Sequence, residues 1–179
     1  MIRFPVEPPE RRRMGAHDLI IHAKVASTSL RTLGDHVKRH EPYSLPTIAI
    51  IRNPIERWVS GYVMYLADLA RLSTGRIVFQ PPYHFVYDIH TTQQIYTIRK
   101  DTHLIPFEEI QLYTDRCGFN LPHLHPTPGP LTHCKHELIY WLRDNERFKE
   151  SLKHHLRLDY ELRNRCVSVQ SLPDSLFDK

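Results

Sequence analysis

Residues 22–30 read HAKVASTSL: a lysine, then a run of small or branched residues that includes three hydroxyls. An apolar run, LII, precedes them, and Leu30, Leu33 and Val37 follow at helical spacing. A chain that leaves a strand and opens a helix exposes unpaired N–H groups and about half a positive charge at the turn. Lys24 stands just before it, Val25 to Ser29 supply backbone donors, and Ser27, Thr28 and Ser29 add hydroxyls. That is the chemistry of an anion cradle, sized for phosphate or sulfate. A plain helix start, with Ser27 as cap and Lys24 in solvent, uses the same residues. The stretch lacks glycine, so it is not the G-x-x-x-x-G-K-[ST] loop, and an ordinary ATP or GTP hydrolase is disfavoured.

A second stretch, IIRNPIERWVSGY, repeats the arrangement. Arg52 emerges where a β-branched run ends, and its fork of donors suits a phosphate. Asn53, Arg57 and Ser60 follow at i, i+4 and i+7 and share a helix face. The competing interpretation of the two arginines is a surface pair bridged to Glu56 or Asp68. Two anion sites on neighbouring turns imply one ligand with two separated anionic groups.

The elements that must position these turns can be read along the chain. HDLIIHA predicts a buried strand over about 18–22, followed by a helix from about Ser27 to Arg39. TIAII predicts a second buried strand. NPIERWVSGYVMYLADLARL predicts a helix, with Asn53 as cap, Pro54 at the first position, Glu56 closing a capping box, and a stripe of Ile55, Val59, Tyr62, Val63 and Leu66. Residues 73–90 read as irregular and 91–99 as a short helix. THLIPF reads as a third strand, EEIQLYTDRCG as a helix stopped by Gly118, and FNLPHLHPTPGP as loop. Leu131 to about Arg163 is helical, with a break at Asp144-Asn145. Residues 1–17 read as an N-terminal arm, with RRR solvated, 18–163 as one domain and 164–179 as a loose tail. Alternating strands and helices predict an α/β fold around a parallel sheet, whose ligands bind beyond the carboxyl ends of the strands.

The chain has 179 residues, enough for one domain with a real core. Net charge is +4, which suits an anionic ligand but not the dense basic stripe of a nucleic-acid binder, so no nucleic-acid partner is expected. No apolar run approaches the ~20 residues of a membrane span. Cys117, Cys134 and Cys166, an odd set without a signal peptide, suggest reduced thiols in a cytoplasm.

KVASTSL resembles the 5′-phosphosulfate loop of sulfotransferases that use 3′-phosphoadenosine 5′-phosphosulfate (PAPS). IRNPIERWVSGY resembles their 3′-phosphate motif, R-[DN]-P-x-x-R-x-x-S-x-Y, at Arg52, Pro54, Arg57, Ser60 and Tyr62. HTTQQIYTI resembles the family's H-x-x-x-Q segment at His90 and Gln94. HLIPFEEI, NLPHLHPTP and LRLDYEL resemble later motifs, with Leu156 where tyrosine is usual. The similarity covers about residues 18–163 and is closest in pattern to the carbohydrate sulfotransferases of the Golgi. Ala23 replaces the usual proline, and the 27 residues between Lys24 and Arg52 are fewer than in many members.

The resemblance implies a P-loop-NTPase-like three-layer fold, with a central parallel sheet flanked by helices. It implies sulfuryl transfer from PAPS to a hydroxyl or amine of a glycan or small hydroxylated acceptor, with no metal. Lys24 would be catalytic. Val25, Ala26, Ser27, Thr28 and Ser29 would hold the 5′ end with it, and Arg52 and Ser60 the 3′-phosphate. His90 would be the catalytic base, with His40 and Glu41 as rivals. Three alternatives stand beside this: a catalytically inactive module that keeps the nucleotide pocket, a phosphoryl transferase on a similar sheet, and a metal-binding protein using His123, His125, His133, Cys134, His136 and Cys117.

Overall fold

The computed structural model describes residues 9–22, 27–38, 40–72, 75–88, 90–121 and 129–178. Strands β1 (Glu10–Arg13), β2 (Asp18–Ile21), β3 (Asp35–Val37), β4 (Thr47–Ile51) and β5 (His103–Pro106) form one sheet in the order β3-β1-β2-β4-β5. β2 pairs parallel with β4, and β4 with β5, while β1 runs antiparallel to both β2 and β3. The fold is α/β, as the alternation implied, but the sheet is mixed rather than parallel. The difference arises at its β1–β3 edge.

There Glu10–Arg13 of the expected arm and Asp35–Val37 of the expected long helix are strands. β1 carries the arginine triplet, and Arg11 is only 1% exposed. Its guanidinium pairs with Asp18 at 3.1 Å and lies 4.1 Å from the centroid of the Tyr43 ring. Arg13 Nε holds the other Asp18 oxygen at 3.0 Å. RRR is therefore a strand rather than a solvated arm, and the buried Arg11 is tolerated because Asp18, shared with Arg13, and the Tyr43 ring face its guanidinium.

Helix α1 is a single turn, Ser27–Leu30, instead of running to Arg39. Gly34 then turns the chain at φ 54°, and β3 adds itself to β1. A Cβ on Gly34 would strike the Arg13 carbonyl, so only glycine permits that approach. Leu30, Leu33 and Val37 are all buried, as their spacing implied. A turn plus a strand buries them as well as a helix would, and the β1 edge supplies backbone partners a helix would leave unused.

Helices α2 (Pro54–Leu72), α3 (Ile110–Arg116), α4 (Gly129–Asp144), α5 (Glu146–His155) and α6 (Arg157–Asn164) complete the described elements, with short 3₁₀ turns between. The break at Asp144-Asn145 is present, and a second one falls at Leu156. Sheet residues alternate faces, as the pleat requires. Leu19, Ile21, Ile48, Ile50 and Ile105 join α3 and the C-terminal segment in one cluster. Ile20, Ala49, Ile51 and Leu104 meet Leu162 of α6 on the other face. α2 joins α4 and α5 in a third cluster around Trp58, Tyr62, Leu138 and Leu152.

The tail is not loose. Val169, Leu172 and Leu176 are buried in the first cluster. Buried His17 donates from Nδ1 to the Leu176 carbonyl at 2.6 Å, and Tyr113 Oη contacts its Nε2 at 2.6 Å. Arg116 donates to the Val169 and Leu172 carbonyls, and Glu109 accepts from Val169 N at 2.6 Å.

Candidate functional site

β2 and β4 are parallel neighbours in register Asp18↔Thr47 to Ile20↔Ala49, so their carboxyl ends share one edge of the sheet. The Arg52 turn leaves β4 at that edge, and the chain after β2 passes His22 before the first turn. Lys24, Val25 and Ala26 lie outside the described residues. Ser27, Thr28 and Ser29 form α1, and Ser29 is buried with its carbonyl accepting from Thr32. Side chains of Ser27 and Thr28 are likewise outside the description.

The second turn is described in full. Asn53 caps α2 through Oδ1, which accepts from the N–H of Ile55 at 3.1 Å and Glu56 at 3.2 Å. Capping fixes the angle at which the helix leaves β4, and this sets Arg52 beside Ser60. Arg52 Nη1 donates to Ser60 Oγ at 3.3 Å, its Nε lies 3.6 Å from Glu56, and its guanidinium lies 5.2 Å from the Phe107 ring centroid. The bridge to Glu56, weighed from sequence as a structural role for Arg52, is thus present. Glu56 itself is an exposed partner that can swing away.

Arg57 is not a surface residue. At 2% exposure its guanidinium reaches Asp159 Oδ2 at 3.3 Å, the His90 carbonyl at 3.4 Å and the Thr92 carbonyl. Burial pushes its pKa down, against the pull of Asp159. Asp159, fully buried on α6, also accepts from the N–H of Gln94 and Ile95, both at 3.0 Å. Gln94 Nε2 donates to the Ile50 carbonyl of β4 at 3.3 Å. Arg57, Gln94 and Asp159, with the backbone carbonyl of His90, come from three separate motifs and meet in one buried node behind the strand ends.

Two groups at this edge were not foreseen. Arg163 of α6 donates to the Ile51 carbonyl at 2.7 Å and pairs with Glu108 at 2.6 Å. Burial works against ionising Glu108, but Arg163, with Arg52 beyond it, still holds that carboxyl below its usual range. His22, the residue after β2, is 6% exposed, and its Nδ1 lies 2.8 Å from Thr97 Oγ1. That hydroxyl donates to the Gln94 carbonyl, so His22 Nδ1 carries the proton. Burial, reinforced by Arg57, lowers the His22 pKa to about 3, so the ring is neutral. His22 sits inside the quoted lysine motif, yet nothing about its spacing marked it.

His90 lies on the far side of the node. Gly61 of α2 touches its backbone so closely that a Cβ would collide with the His90 carbonyl. Its ring Nε2 is 4.0 Å from Asp68 Oδ2, one helical stretch down α2 from Ser60. Glu41, a rival base, is at the wrong end: it pairs at 3.3 Å with Arg13, which opposes Asp18 at the amino end of β2. For the metal alternative, His123 and His125 lie outside the described residues, Cys134 is buried, and His133 is exposed beside Glu137. Among the described residues the group that meets metal-ligand spacing is Asp68, Asp88 and His90.

Comparison with protein-family models, curated proteins and solved structures yields no match.

Proposed function

We propose that the protein binds a nucleotide carrying a 3′-phosphate at the shared edge of β2 and β4 and transfers a sulfuryl group from PAPS to a hydroxyl or amine acceptor, in the class of carbohydrate and small hydroxylated molecules. The observation that carries the proposal is the parallel pairing of β2 with β4, which puts the end of the strand that leads in sequence toward Lys24 beside the end of the strand that leads into the Arg52–Ser60 turn. Arg52 and Ser60 fit a phosphate: a half-buried guanidinium and a hydroxyl 3.3 Å apart converge on one side of a capped helix, with Glu56 free to yield. PAPS supplies the activated sulfuryl group. Lys24 neutralises charge as it develops on the sulfuryl oxygens and the leaving phosphate, aided by N–H groups of Val25 to Ser29. Because α1 is a single turn, the lysine and local donors carry more of this than a helix dipole does. The three-layer, P-loop-like arrangement belongs to the same proposal, as does a role for His90 on the acceptor side. An inactive nucleotide-binding module is the second reading, favoured by the short span between the two turns.

Thermal unfolding with 3′,5′-adenosine bisphosphate and with ATP tests the binding claim. At ~100 Kd the bisphosphate is expected to stabilise the protein by ~2.7 kcal/mol, and ATP by much less. Equal responses, or none, would sink it. Transfer from labelled PAPS to a panel of glycans and phenols separates enzyme from inactive module. Lys24→Ala is expected to abolish transfer while the bisphosphate still binds.

A further inference from the structure

Three ligand-type side chains outside the phosphate-binding turn converge between α2 and the segment after it. Asp68 comes from the last part of α2, and Asp88 and His90 from the irregular stretch that crosses it. One ligand atom from each lies within 4.8 Å of the other two. We infer that Asp68, Asp88 and His90 form a binding site for a divalent transition cation of the Mn²⁺ to Zn²⁺ series.

The inference does not depend on the nucleotide proposal. It rests first on the donor set. An acidic pair alone would suit many solvated surfaces, but an imidazole added to two carboxylates is a donor set that favours first-row transition ions over calcium or magnesium. It rests next on spacing. His90 Nε2 and Asp68 Oδ2 are 4.0 Å apart, beyond hydrogen-bond reach. Two ligands each ~2.1 Å from a common tetrahedral ion lie about 3.4 Å apart, so an ion seats once the two side chains close by roughly half an ångström.

The surroundings hold the ligands in place. Asp88 Oδ1 accepts from His90 N at 2.8 Å and Thr91 N at 3.3 Å, which fixes the carboxylate and leaves its other oxygen for an ion. Gly61 lets the His90 backbone lie directly on α2, and Arg57 clamps the His90 carbonyl from the buried side. Those contacts bring His90 to Asp68, which is 22 residues away in sequence. Arg71 pairs with Asp68 from the exposed side of the helix and is the competitor that a cation must displace or share. Three protein ligands leave coordination positions for water or for an acceptor oxygen. A cation on Nε2 takes the lone pair that a base would need, so His90 then acts on the acceptor side by holding the ion.

Binding of Mn²⁺ to the full chain, after chelator treatment, tests this by loss of the free-ion electron paramagnetic resonance signal. One ion per chain is expected. Asp68→Asn, His90→Gln and Asp88→Asn, the last of which keeps a capping oxygen, should each weaken binding at least tenfold, with unfolding of the ion-free variants near that of the parent. No saturable site below ~1 mM would overturn the inference. Binding unchanged in the Asp68→Asn/His90→Gln double variant would also overturn it by placing the ion elsewhere. Because the readout uses no nucleotide, its failure and that of the nucleotide proposal are separately visible.

Discussion

Arg52 and Arg57 are five residues apart on one motif and differ in burial, and burial decides their roles. The Arg52 side chain is 18% exposed, with a hydroxyl and an exposed carboxylate as neighbours. On the proposed reading, a phosphate would take the place of those contacts. Arg57 is 2% exposed and holds two backbone carbonyls and a carboxylate. Arg52→Ala is therefore expected to weaken bisphosphate binding by about 1.5–3 kcal/mol, the range of charge-assisted hydrogen bonds, and to leave the unfolding midpoint nearly unchanged. Titration calorimetry beside a urea melt measures both quantities. An unfolding midpoint that falls as far as the affinity would assign Arg52 to structure instead. The pairing of Arg52 with Ser60 was legible because both fall on the motif's spacing. The burial of Arg57 was not, since its partner Asp159 lies 102 positions away.

At the scale of elements, α6 and the 91–97 stretch are joined through Asp159. Its carboxylate accepts from Arg57, Gln94 N and Ile95 N, and so ties α2, the 3₁₀ turn at Gln94–Thr97 and α6 together. Removing one partner of a buried ion pair costs more than the pair contributes, because a charge is left in low dielectric. Arg57→Ala is expected to cost about 3–5 kcal/mol by urea denaturation. Amide protection at Gln94 and Ile95 should drop most in Asp159→Ala, which removes their acceptor. Protection that falls evenly over the chain would contradict a local node. Of the elements themselves, β2, β4, β5, α2, α3 and the α4–α5 break follow the sequence pattern. α2 does so most fully, since Asn53, Pro54 and the Val59-Tyr62-Val63-Leu66 stripe agree with one another. The expected helix over 27–39 fails because its three apolar residues are equally satisfied by a turn and an edge strand. Among the described residues it is the β1 backbone that pairs with that strand.

Across the whole molecule, buried neutral histidines add a loss of stability on the acid side. Burial lowers the pKa of His17 and, with Arg57, takes His22 to about 3. Both rings are neutral in the fold and titrate near 6.5 when unfolded. The unfolded state therefore binds more protons below 6.5, so stability is full above that pH and falls as pH drops through it toward the folded values. Each histidine contributes a slope of up to ~1.4 kcal/mol per pH unit in its own window. Melts from pH 7.5 down to 4.5 should show this loss, reduced in His17→Gln, and a flat profile would refute it. No helix of the described residues is long and apolar enough to cross a membrane.

Two kinds of information separate cleanly in this chain. Residue order alone carried the strand–turn–helix units, the capped start of α2, the apolar faces and the two donor-rich turns, because each depends on neighbours within a turn or two. Tertiary structure decided the rest: that RRR is an inner strand around Asp18, that the tail closes over His17 and Tyr113, that Asp159 answers Arg57, and that His90 faces Asp68 and Asp88. These are pairings across long stretches of chain, where burial of charge is tolerated only if a distant partner arrives. Local spacing holds no record of which distant partner that will be.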